Sequence, residues 1–286
     1  MKGSASGTLS RIAILATAMI ASVALAAATA AAPGADLWPR WQAHDESSAA
    51  TIDHGALQRF LAAYLVRSGD GINRLRYAAV SEADKTILDD YVAGLARLPI
   101  STYARDQQMA YWINLYNALT IKVVLEHYPA ESIRDIDISP GLFSVGPWGA
   151  KLIMVEGQEL SLDDVEHRIL RPIWRDPRIH YAVNCAALGC PNLQPEPFWA
   201  ETLDEQLGAA AKAYVNHPRG VAIEGGRVIV SSIYSWFEED FGGDERGVVE
   251  HLERYAAPGL RQQLERVSSI DGYEYDWSLN DAGPSG

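Results

Sequence analysis

The 286-residue sequence has only two cysteines and far fewer basic than acidic residues. Two cysteines are too few for a disulfide scaffold, so a hydrophobic core must hold the fold together. With 24 lysines and arginines against 37 aspartates and glutamates, the formal net charge is −13. Because nucleic-acid binding depends on basic side chains that contact phosphates, this charge balance argues against a nucleic-acid partner.

Several motifs of common enzyme classes are also absent. The sequence has no G-x-S-x-G elbow, no P-loop, no H-E-x-x-H and no Rossmann glycine fingerprint. These absences exclude the commonest serine hydrolases, nucleotide enzymes and zinc proteases. We therefore predict that the protein uses no cofactor.

The first 32 residues have the layout of a removable secretory signal. A weakly basic start with Lys2 and Arg11 precedes an almost wholly apolar run, and small residues then lead to Pro33. The alternative is a retained membrane anchor, since a run of this length just spans a bilayer. Alanine, which dominates the run, is only weakly hydrophobic, so we predict cleavage, with no membrane span remaining. The mature protein would then work in the bacterial periplasm or be secreted.

The rest of the chain is predicted to form a lead-in arm at residues 33–52 and one globular domain at 53–286. No internal repeat or linker-like break divides it. The pattern indicates an α+β fold that is helix-rich, with a small, largely antiparallel sheet. The segment from Arg105 to His127 is apolar nearly all round, which is typical of a central, buried helix.

Capping patterns and periodicity predict the other elements of this domain. They are helices from Asp53 to Arg67, from Ser81 to Pro99, from Ser161 to about Leu170 and over 198–216, strands at 152–155 and 178–185, a hairpin turning at Gly225–Gly226, and two or three helices up to about Val267. Pro172 is expected to end the helix that begins at Ser161.

Three polar residues on the predicted helices are candidate site residues. Asn114 and Asn117 share one face of the central helix, where buried amides must find partners. Binding to neighbouring backbone is favoured over a role in orienting a catalytic group. Glu166 lies at the edge of an apolar stripe and needs a cation. A salt bridge to one of the arginines within 168–178 is favoured, general acid–base work is the alternative, and His167 is expected to point toward solvent.

Cys185 is the strongest candidate nucleophile. It ends an apolar segment, and the small residues after it leave room for a ligand. A neighbouring base or a helix N-terminus could lower its pKa and make the thiolate reactive. His180 is the obvious base. In a regular strand, however, the two side chains point to opposite faces, and five residues span about 16 Å. His180 therefore reaches Cys185 only if the strand bends.

Two other arrangements of Cys185 stay open. Four residues separate it from Cys190, so a disulfide is feasible in an oxidising compartment, as are two packed thiols. A metal site could combine these cysteines with His180, but the spacing is not that of a known zinc site. A fourth ligand would have to come from elsewhere in the chain, and we predict no metal.

The sequence resembles the domain-of-unknown-function family 547, which occurs in many bacteria and in plant proteins that also carry a coiled coil. The resemblance rests on AYWINLYNALTIKVVL, LSLDDVEHRILR, DPRIHYAVNCAALGCPNL, VSSIYSWFEEDFG and the closing YDWSLN, and runs from about residue 54 to 280. The motifs include Asn114, Asn117, Glu166, His180, Asn184, Cys185, Trp236 and Asp240. The family has no accepted activity. The resemblance implies that the Cys190 position can be serine, which favours a separate task for Cys185.

Two functions follow from these candidates. In the first, a cleft lined by Asn114, Glu166, His180 and Cys185 performs hydrolysis or acyl or thiol transfer on a small or peptide-like substrate. Cys185 would be the nucleophile, His180 the base, and Glu166 or Asn114 the orienting group. In the second, these residues are structural, and the protein is a binding module for a peptide, a glycan or another exported protein. Exposed tryptophans would then supply contacts; the candidates are Trp38, Trp41, Trp148, Trp199 and Trp236.

Overall fold

The computed structural model describes residues 33–141 and 144–283. The secretory signal predicted for residues 1–32 lies outside the described residues, so export stays a prediction. None of the described helices is long and apolar enough to cross a membrane.

Helices account for most of the regular structure in these two ranges. The α-helices are α1 (Gly55–Tyr64), α2 (Glu82–Ala96), α3 (Arg105–His127), α4 (Arg171–Trp174), α5 (Leu203–Val215), α6 (Ile233–Trp236), α7 (Glu245–Tyr255) and α8 (Pro258–Leu264). The strands are β1 (Leu65–Arg67), β2 (Asn73–Leu75), β3 (Ile153–Val155), β4 (Gln158–Leu160), β5 (Val221–Glu224), β6 (Arg227–Ser231) and β7 (Gly272–Glu274). The predicted helix-rich α+β fold is confirmed.

Helix α3 lies at the centre of the fold, with the bounds predicted from the sequence. Nearly all of its side chains from Gln108 to Leu125 are buried, on every side of the helix. Helix α2 packs along it, and the segment Asp164–Leu170 packs along another part of its surface. An all-round apolar helix is stable only when other elements cover it. The prediction of a central buried helix is therefore confirmed.

The strands form three small sheets. β1 pairs with β2 and β3 with β4, each antiparallel, and the third sheet has the order β5–β6–β7. Within it β5 and β6 are antiparallel, whereas β6 and β7 are parallel. The β5–β6 hairpin turns at Gly225 and Gly226 with φ of 58° and 83°, the left-handed values that a tight two-residue turn requires and glycine readily adopts. The predicted hairpin is confirmed.

Helix α1 is shorter than predicted. It ends at Tyr64, and residues 65–67, predicted to be helical, form strand β1. The chain reverses at Gly71, whose φ is +81°, so that β1 pairs in register with β2. The backbone of Leu65 to Arg67 thus finds partners in a neighbouring strand, a tertiary pairing that overrides local helical spacing.

The strand predicted at residues 178–185 is wrong. Residues Pro177–Tyr181 form a 3-10 helix, followed by irregular chain. The Asp176 carboxylate accepts a hydrogen bond from the Arg178 amide at 2.9 Å, and Pro177 has the fixed φ that suits a helix start. Cap and proline together outweigh the alternating apolar pattern. The argument that His180 and Cys185 point to opposite faces of a strand therefore no longer applies.

Pro172 does not end the preceding helix. The chain is a π-helix over Asp164–Leu170 and continues directly into α4, which ends at Trp174. Pro172 sits in the first turn of α4, where a missing N–H is tolerated best. π-Helical turns are rare in proteins, and those that occur are frequently found at functional sites.

The lead-in arm donates hydrogen bonds to the helical turn that precedes Pro172. Because Pro172 has no N–H, one carbonyl of that turn lacks the donor that another residue at this position would provide. The Asp36 amide donates to His167 O and the Trp38 amide donates to Arg168 O, each at 3.0 Å. The arm is therefore tied to the π-helix through its backbone.

Side-chain packing also ties the arm to the core, which generates a stability prediction. Trp41 is 2% exposed and lies edge-on to Trp112 of α3, with ring centroids 5.1 Å apart. We expect Trp41→Ala to lower the free energy of unfolding by about 3–5 kcal/mol. Trp38→Ala is the control, because Trp38 is only half-buried beneath Arg168, and it should cost about 1 kcal/mol. Equal losses in urea unfolding would contradict the packing described.

Candidate functional site

Helix α3 holds an irregular segment of the chain through two buried asparagines. Asn114 Nδ2 donates to Phe198 O at 2.7 Å, and its Oδ1 accepts from Phe198 N at 2.9 Å. Asn117 Nδ2 donates to Ala182 O at 3.0 Å, and its Oδ1 accepts from Asn184 N at 2.8 Å. All four bonds go to backbone, as buried irregular chain requires. They support the structural interpretation of both asparagines, including Asn114.

The segment between these two attachment points carries the cysteines. Ala186, directly after Cys185, has a φ of 60°, and its amide donates to Asn184 Oδ1 at 3.0 Å. Gly189 N donates to Asp276 O at 2.8 Å. A Cβ on Gly189 would lie 2.7 Å from the Asp276 amide nitrogen, so only glycine fits. Ala186 is left-handed although it is not a glycine, and position 189 accepts only glycine. Both features show that contacts with the surrounding chain determine the shape of this loop.

Both cysteines are free thiols, and they contact each other. Cys190 is buried, whereas Cys185 is partly exposed. The Cys185 amide donates to Cys190 Sγ at 3.0 Å. On its other side, Cys185 Sγ lies 3.0 Å from the hydroxyl of Tyr275. Among the described residues, no group of histidine, cysteine and acidic side chains is arranged to hold a metal ion.

The surroundings of Cys185 favour its thiolate. The hydrogen bond from the Cys190 thiol lowers the pKa of Cys185; burial opposes this effect, and the Tyr275 hydroxyl and the Ala187 amide reinforce it. The nearby Glu166 carboxylate raises the pKa by its negative charge, but the net direction is downward. Burial and the neighbouring Cys185 hold the pKa of Cys190 well above its ordinary value. The Cys185 thiol therefore ionises more readily than an ordinary cysteine, and the Cys190 thiol ionises less readily.

Four aromatic side chains form what we term the aromatic wall: Trp148, Trp236, Tyr275 and Trp277. Ring centroids lie 4.6 Å apart for Tyr275–Trp277, 4.8 Å for Trp236–Tyr275 and 5.8 Å for Trp148–Trp277. All four are half-buried. Such rings offer large, rigid contact area at low entropic cost. The wall reaches the thiol directly through the Tyr275 hydroxyl.

His180 lies in a separate polar centre. Its Nε2 is 2.6 Å from Asp240 Oδ2, and its Nδ1 is 3.5 Å from Glu166 Oε1. Its ring stacks on Phe237, with centroids 4.2 Å apart. Both ring nitrogens thus face carboxylates, and no hydrogen bond joins His180 to Cys185 among the described residues. The predicted His180–Cys185 pair is not formed, because the 3-10 helix aims the imidazole at Asp240.

This centre stabilises a positive imidazole. Burial lowers the pKa of His180, but hydrogen bonds to Asp240 and Glu166 outweigh it, and the net shift is upward. Burial raises the pKa of Asp240, yet His180 and Arg171 lower it to about 2. Arg171 Nε lies 2.5 Å from Asp240 Oδ2. The network therefore alternates in charge, and a protonated imidazole with two occupied nitrogens is a poor base for a thiol.

Glu166 and His167 differ from their predicted surroundings. Glu166 is buried, and its partner is His180 rather than an arginine from 168–178. Burial raises the pKa of Glu166, but His167, His180 and Arg171 lower it to about 2. His167 is also buried instead of pointing toward solvent, and burial lowers its pKa to about 4. His167 is thus neutral at pH 7, so His180 and Arg171 balance the Glu166 charge.

The tryptophans proposed as exposed contacts are less exposed than predicted. Trp41 is buried in the core, which corrects its assignment as a surface residue. Trp38, Trp148, Trp199 and Trp236 are each half-buried. Of these, Trp148 and Trp236 belong to the aromatic wall beside Cys185, so only part of the predicted set lies near the thiol.

Comparison with known proteins yields one family. Residues 100–215 match the family described as "Protein of unknown function, DUF547". The chain resembles DUF547 proteins over this region. No curated protein and no solved structure matches the chain. The DUF547 match covers Glu166, His180 and Cys185, while Asp240 and Tyr275 lie beyond it.

Sequence reasoning missed the partners that decide the site. Asp240 lies in VSSIYSWFEEDFG, and Tyr275 and Trp277 lie in YDWSLN. Both stretches carried the resemblance, but these three residues received no role. Their aromatic and acidic residues were the only indication of a role in the site. The contacts could not be predicted from the sequence, because Tyr275 is 90 residues from Cys185 and Asp240 is 60 residues from His180.

The two hydrogen bonds from Asn114 of α3 to the Phe198 backbone, which we term the clamp, generate a stability prediction. Asn114→Ala leaves both backbone groups of Phe198 buried without a partner, so we expect unfolding to become easier by about 2–4 kcal/mol. Asn216→Ala is the control, since Asn216 also binds backbone but is exposed. Water can replace its bonds, and the loss should stay below about 1 kcal/mol. Equal losses in urea titrations would refute the clamp.

The network around His180 predicts how stability depends on pH. Asp240 has a lowered pKa of about 2, so its contribution is complete above the ordinary value of about 4 and is lost as pH falls toward 2. His180 has a raised pKa, so its contribution is complete below about 6.5 and is lost as pH rises through the raised value.

Asp240→Asn tests this dependence. It removes the charge that faces Arg171 and His180, and we expect it to lower the free energy of unfolding by about 3 kcal/mol near pH 6. The deficit relative to the unmodified protein should shrink as the pH falls from about 4 to 2, because the native carboxylate becomes protonated there. Asp204→Asn, at a side chain 91% exposed beside Arg178, should cost less than about 1 kcal/mol. If the stability deficit of Asp240→Asn did not change with pH, the lowered pKa of Asp240 would be contradicted.

Proposed function

We propose that this protein is a thiol-dependent transferase in which the Cys185 thiolate attacks a small or peptide-like substrate and carries an acyl or thiol group. One observation carries the proposal: the Tyr275 hydroxyl lies 3.0 Å from Cys185 Sγ, and Cys190 Sγ packs against the Cys185 amide. Both neighbours lower the pKa of Cys185. Hydrogen bonds to a charged sulfur are stronger than those to a neutral one, so they favour the nucleophilic form.

The exposure of Cys185 and the aromatic wall beside it also support a nucleophilic role for this thiol. Cys185 is the partly exposed member of the cysteine pair, as a nucleophile must be to meet a substrate. The aromatic wall begins at Tyr275, which contacts the sulfur. Half-buried rings at that position favour a substrate with apolar or peptide-like groups.

Group transfer is favoured over hydrolysis. Hydrolysis of an acyl-enzyme needs a base that activates water next to the thioester. The predicted base, His180, lies between Glu166 and Asp240, and both of its ring nitrogens face these carboxylates instead of the thiol. Its role in our proposal is to position the segment that leads to Cys185, and Asn114 acts in the same way on the other end of that segment.

A binding module is the second candidate function. The aromatic wall favours it, because Trp236, Tyr275 and Trp277 present adjacent half-buried rings. In that case Cys185 would be a packed thiol without special reactivity, and the ligand would be a peptide, a glycan or another exported protein.

We also propose that the protein works in the periplasm or outside the cell. The support is the layout of residues 1–32 as a cleavable signal. Expression in a bacterial host, followed by mass measurement of the exported chain, tests this proposal. A chain starting near Pro33 supports it, and a full-length cytoplasmic chain opposes it.

The pH dependence of alkylation at Cys185 tests the proposed nucleophile. The chain has two cysteines, so peptide mapping assigns each labelled site. We expect an apparent pKa below the ordinary value of about 8.5. Tyr275→Phe removes one donor to the sulfur and should raise the apparent pKa by about one unit. Tyr273→Phe is the matched control, since Tyr273 is 39% exposed on the same segment, and it should change nothing.

His180→Gln separates the two centres in the same assay. Because His180 does not contact Cys185, the apparent pKa of alkylation should stay within about half a unit of the unmodified protein, provided that the fold is retained. Slow alkylation at every pH, unaffected by Tyr275→Phe, would oppose a thiol-dependent enzyme and favour the binding module.

A further inference from the structure

We propose that Cys185 and Cys190 form a dithiol centre that exchanges with disulfide substrates, with Cys185 as the attacking thiol and Cys190 as the resolving thiol. This inference rests on the proposed function, since it needs Cys185 to act as a nucleophile. It names the reaction class of the site as thiol–disulfide exchange and the substrate class as disulfides of small molecules or peptides.

The placement of the two sulfurs supports these roles. Cys185 is partly exposed, while Cys190 is 5% exposed behind it. Cys190 Sγ lies 3.0 Å from the Cys185 amide nitrogen and 3.8 Å from the Val183 carbonyl oxygen. The Cys190 side chain is thus packed directly against the backbone of Cys185. A substrate therefore meets the sulfur of Cys185 first, and the second sulfur lies against the backbone of the same residue.

The loop that carries the pair is held in place at both sides. The Cys190 amide donates to Ala187 O at 3.1 Å, which closes a turn inside the loop. Leu188 N donates to Ser278 O at 2.8 Å, and Asn280 N donates to Ala186 O at 2.8 Å. These bonds tie the loop to the C-terminal segment. The backbone of the loop is therefore held in place, and only the two cysteine side chains need to move during the reaction.

The exchange balances without any further reactant. The Cys185 thiolate attacks one sulfur of the substrate disulfide; a new S–S bond forms, the substrate S–S bond breaks, and the departing thiolate takes a proton from water. Cys190 then releases its proton to the second leaving sulfur and attacks Cys185 Sγ, forming the Cys185–Cys190 disulfide. Two electrons pass from the cysteine pair to the substrate, which leaves as two thiols. The reverse sequence oxidises thiols.

The environment of Cys190 changes at the step where it must react. Burial holds its pKa high, and the hydrogen bond and negative charge of Cys185 raise it further. Once Cys185 is bonded to the substrate, it carries no negative charge and no longer raises the pKa of Cys190. Cys190 then ionises more easily, and attack on the mixed disulfide is favoured at that stage over the free state.

Cystamine is a suitable probe for this reaction. It is a small disulfide, of the substrate class that the proposed reaction consumes, and it can approach the partly exposed Cys185. We expect the reduced protein to lose both thiols and release two molecules of cysteamine per chain. Cys190→Ser retains a hydroxyl that can donate to Cys185 but has no resolving sulfur, so it should accumulate the mixed disulfide on Cys185. Cys185→Ser should form no adduct at Cys190, because that thiol is buried.

The outcomes separate this inference from the proposed function. If the unmodified protein retains the mixed disulfide as fully as Cys190→Ser, Cys190 does not resolve it and the inference is wrong. If Cys185 is alkylated with a lowered pKa but does not react with cystamine, the inference also fails while the proposed function stands. If alkylation itself is slow at every pH, both fail. Should Cys190→Ser not fold, the cysteamine released per unmodified chain decides alone, since one molecule instead of two excludes resolution.

Discussion

Irregular backbone buried in a core must find hydrogen-bond partners, and the candidate site depends on how α3 meets that need. The segment from Ala182 to Phe198 contains no regular strand or α-helix, so its backbone groups cannot satisfy one another as a ladder. Asn117 binds it just before the cysteines and Asn114 binds it at its far end. A helix covered on every side thereby acts as a rigid base for a loop whose shape its own sequence does not specify.

The polar centre at His180 meets a related constraint for charge. A buried ion is tolerated only when opposite charges and hydrogen bonds surround it, and here Glu166, His180, Asp240 and Arg171 alternate in sign. The π-helix places Glu166 and His167 side by side in the interior. Pro172 cannot donate a hydrogen bond to the preceding turn, and two backbone amides of the lead-in arm donate to carbonyls of that turn. Charge pairing and backbone pairing thus hold three distant parts of the chain together.

Separating the imidazole from the thiol decides which chemistry the site favours. Cysteine hydrolases need a histidine on the nucleophile, while thiol exchange needs a stabilised thiolate and a second sulfur. In this protein Cys190 and Tyr275 contact Cys185, and the histidine belongs to a buried ionic network. Glu166 and His180 therefore contact each other, but the partners of His180 and Cys185 differ from those expected from the sequence.

Local sequence signals predicted what depends on neighbouring residues: the bounds of α3, the Ser81 cap and the β5–β6 hairpin. They misread 178–185 as a strand and Pro172 as a helix end, because caps and backbone partners from elsewhere outweighed periodicity. Only the tertiary structure decided which groups face Cys185 and His180, since Tyr275 and Asp240 come from remote segments. Periodicity reports burial along one element, whereas a site's chemistry depends on contacts between elements far apart in sequence.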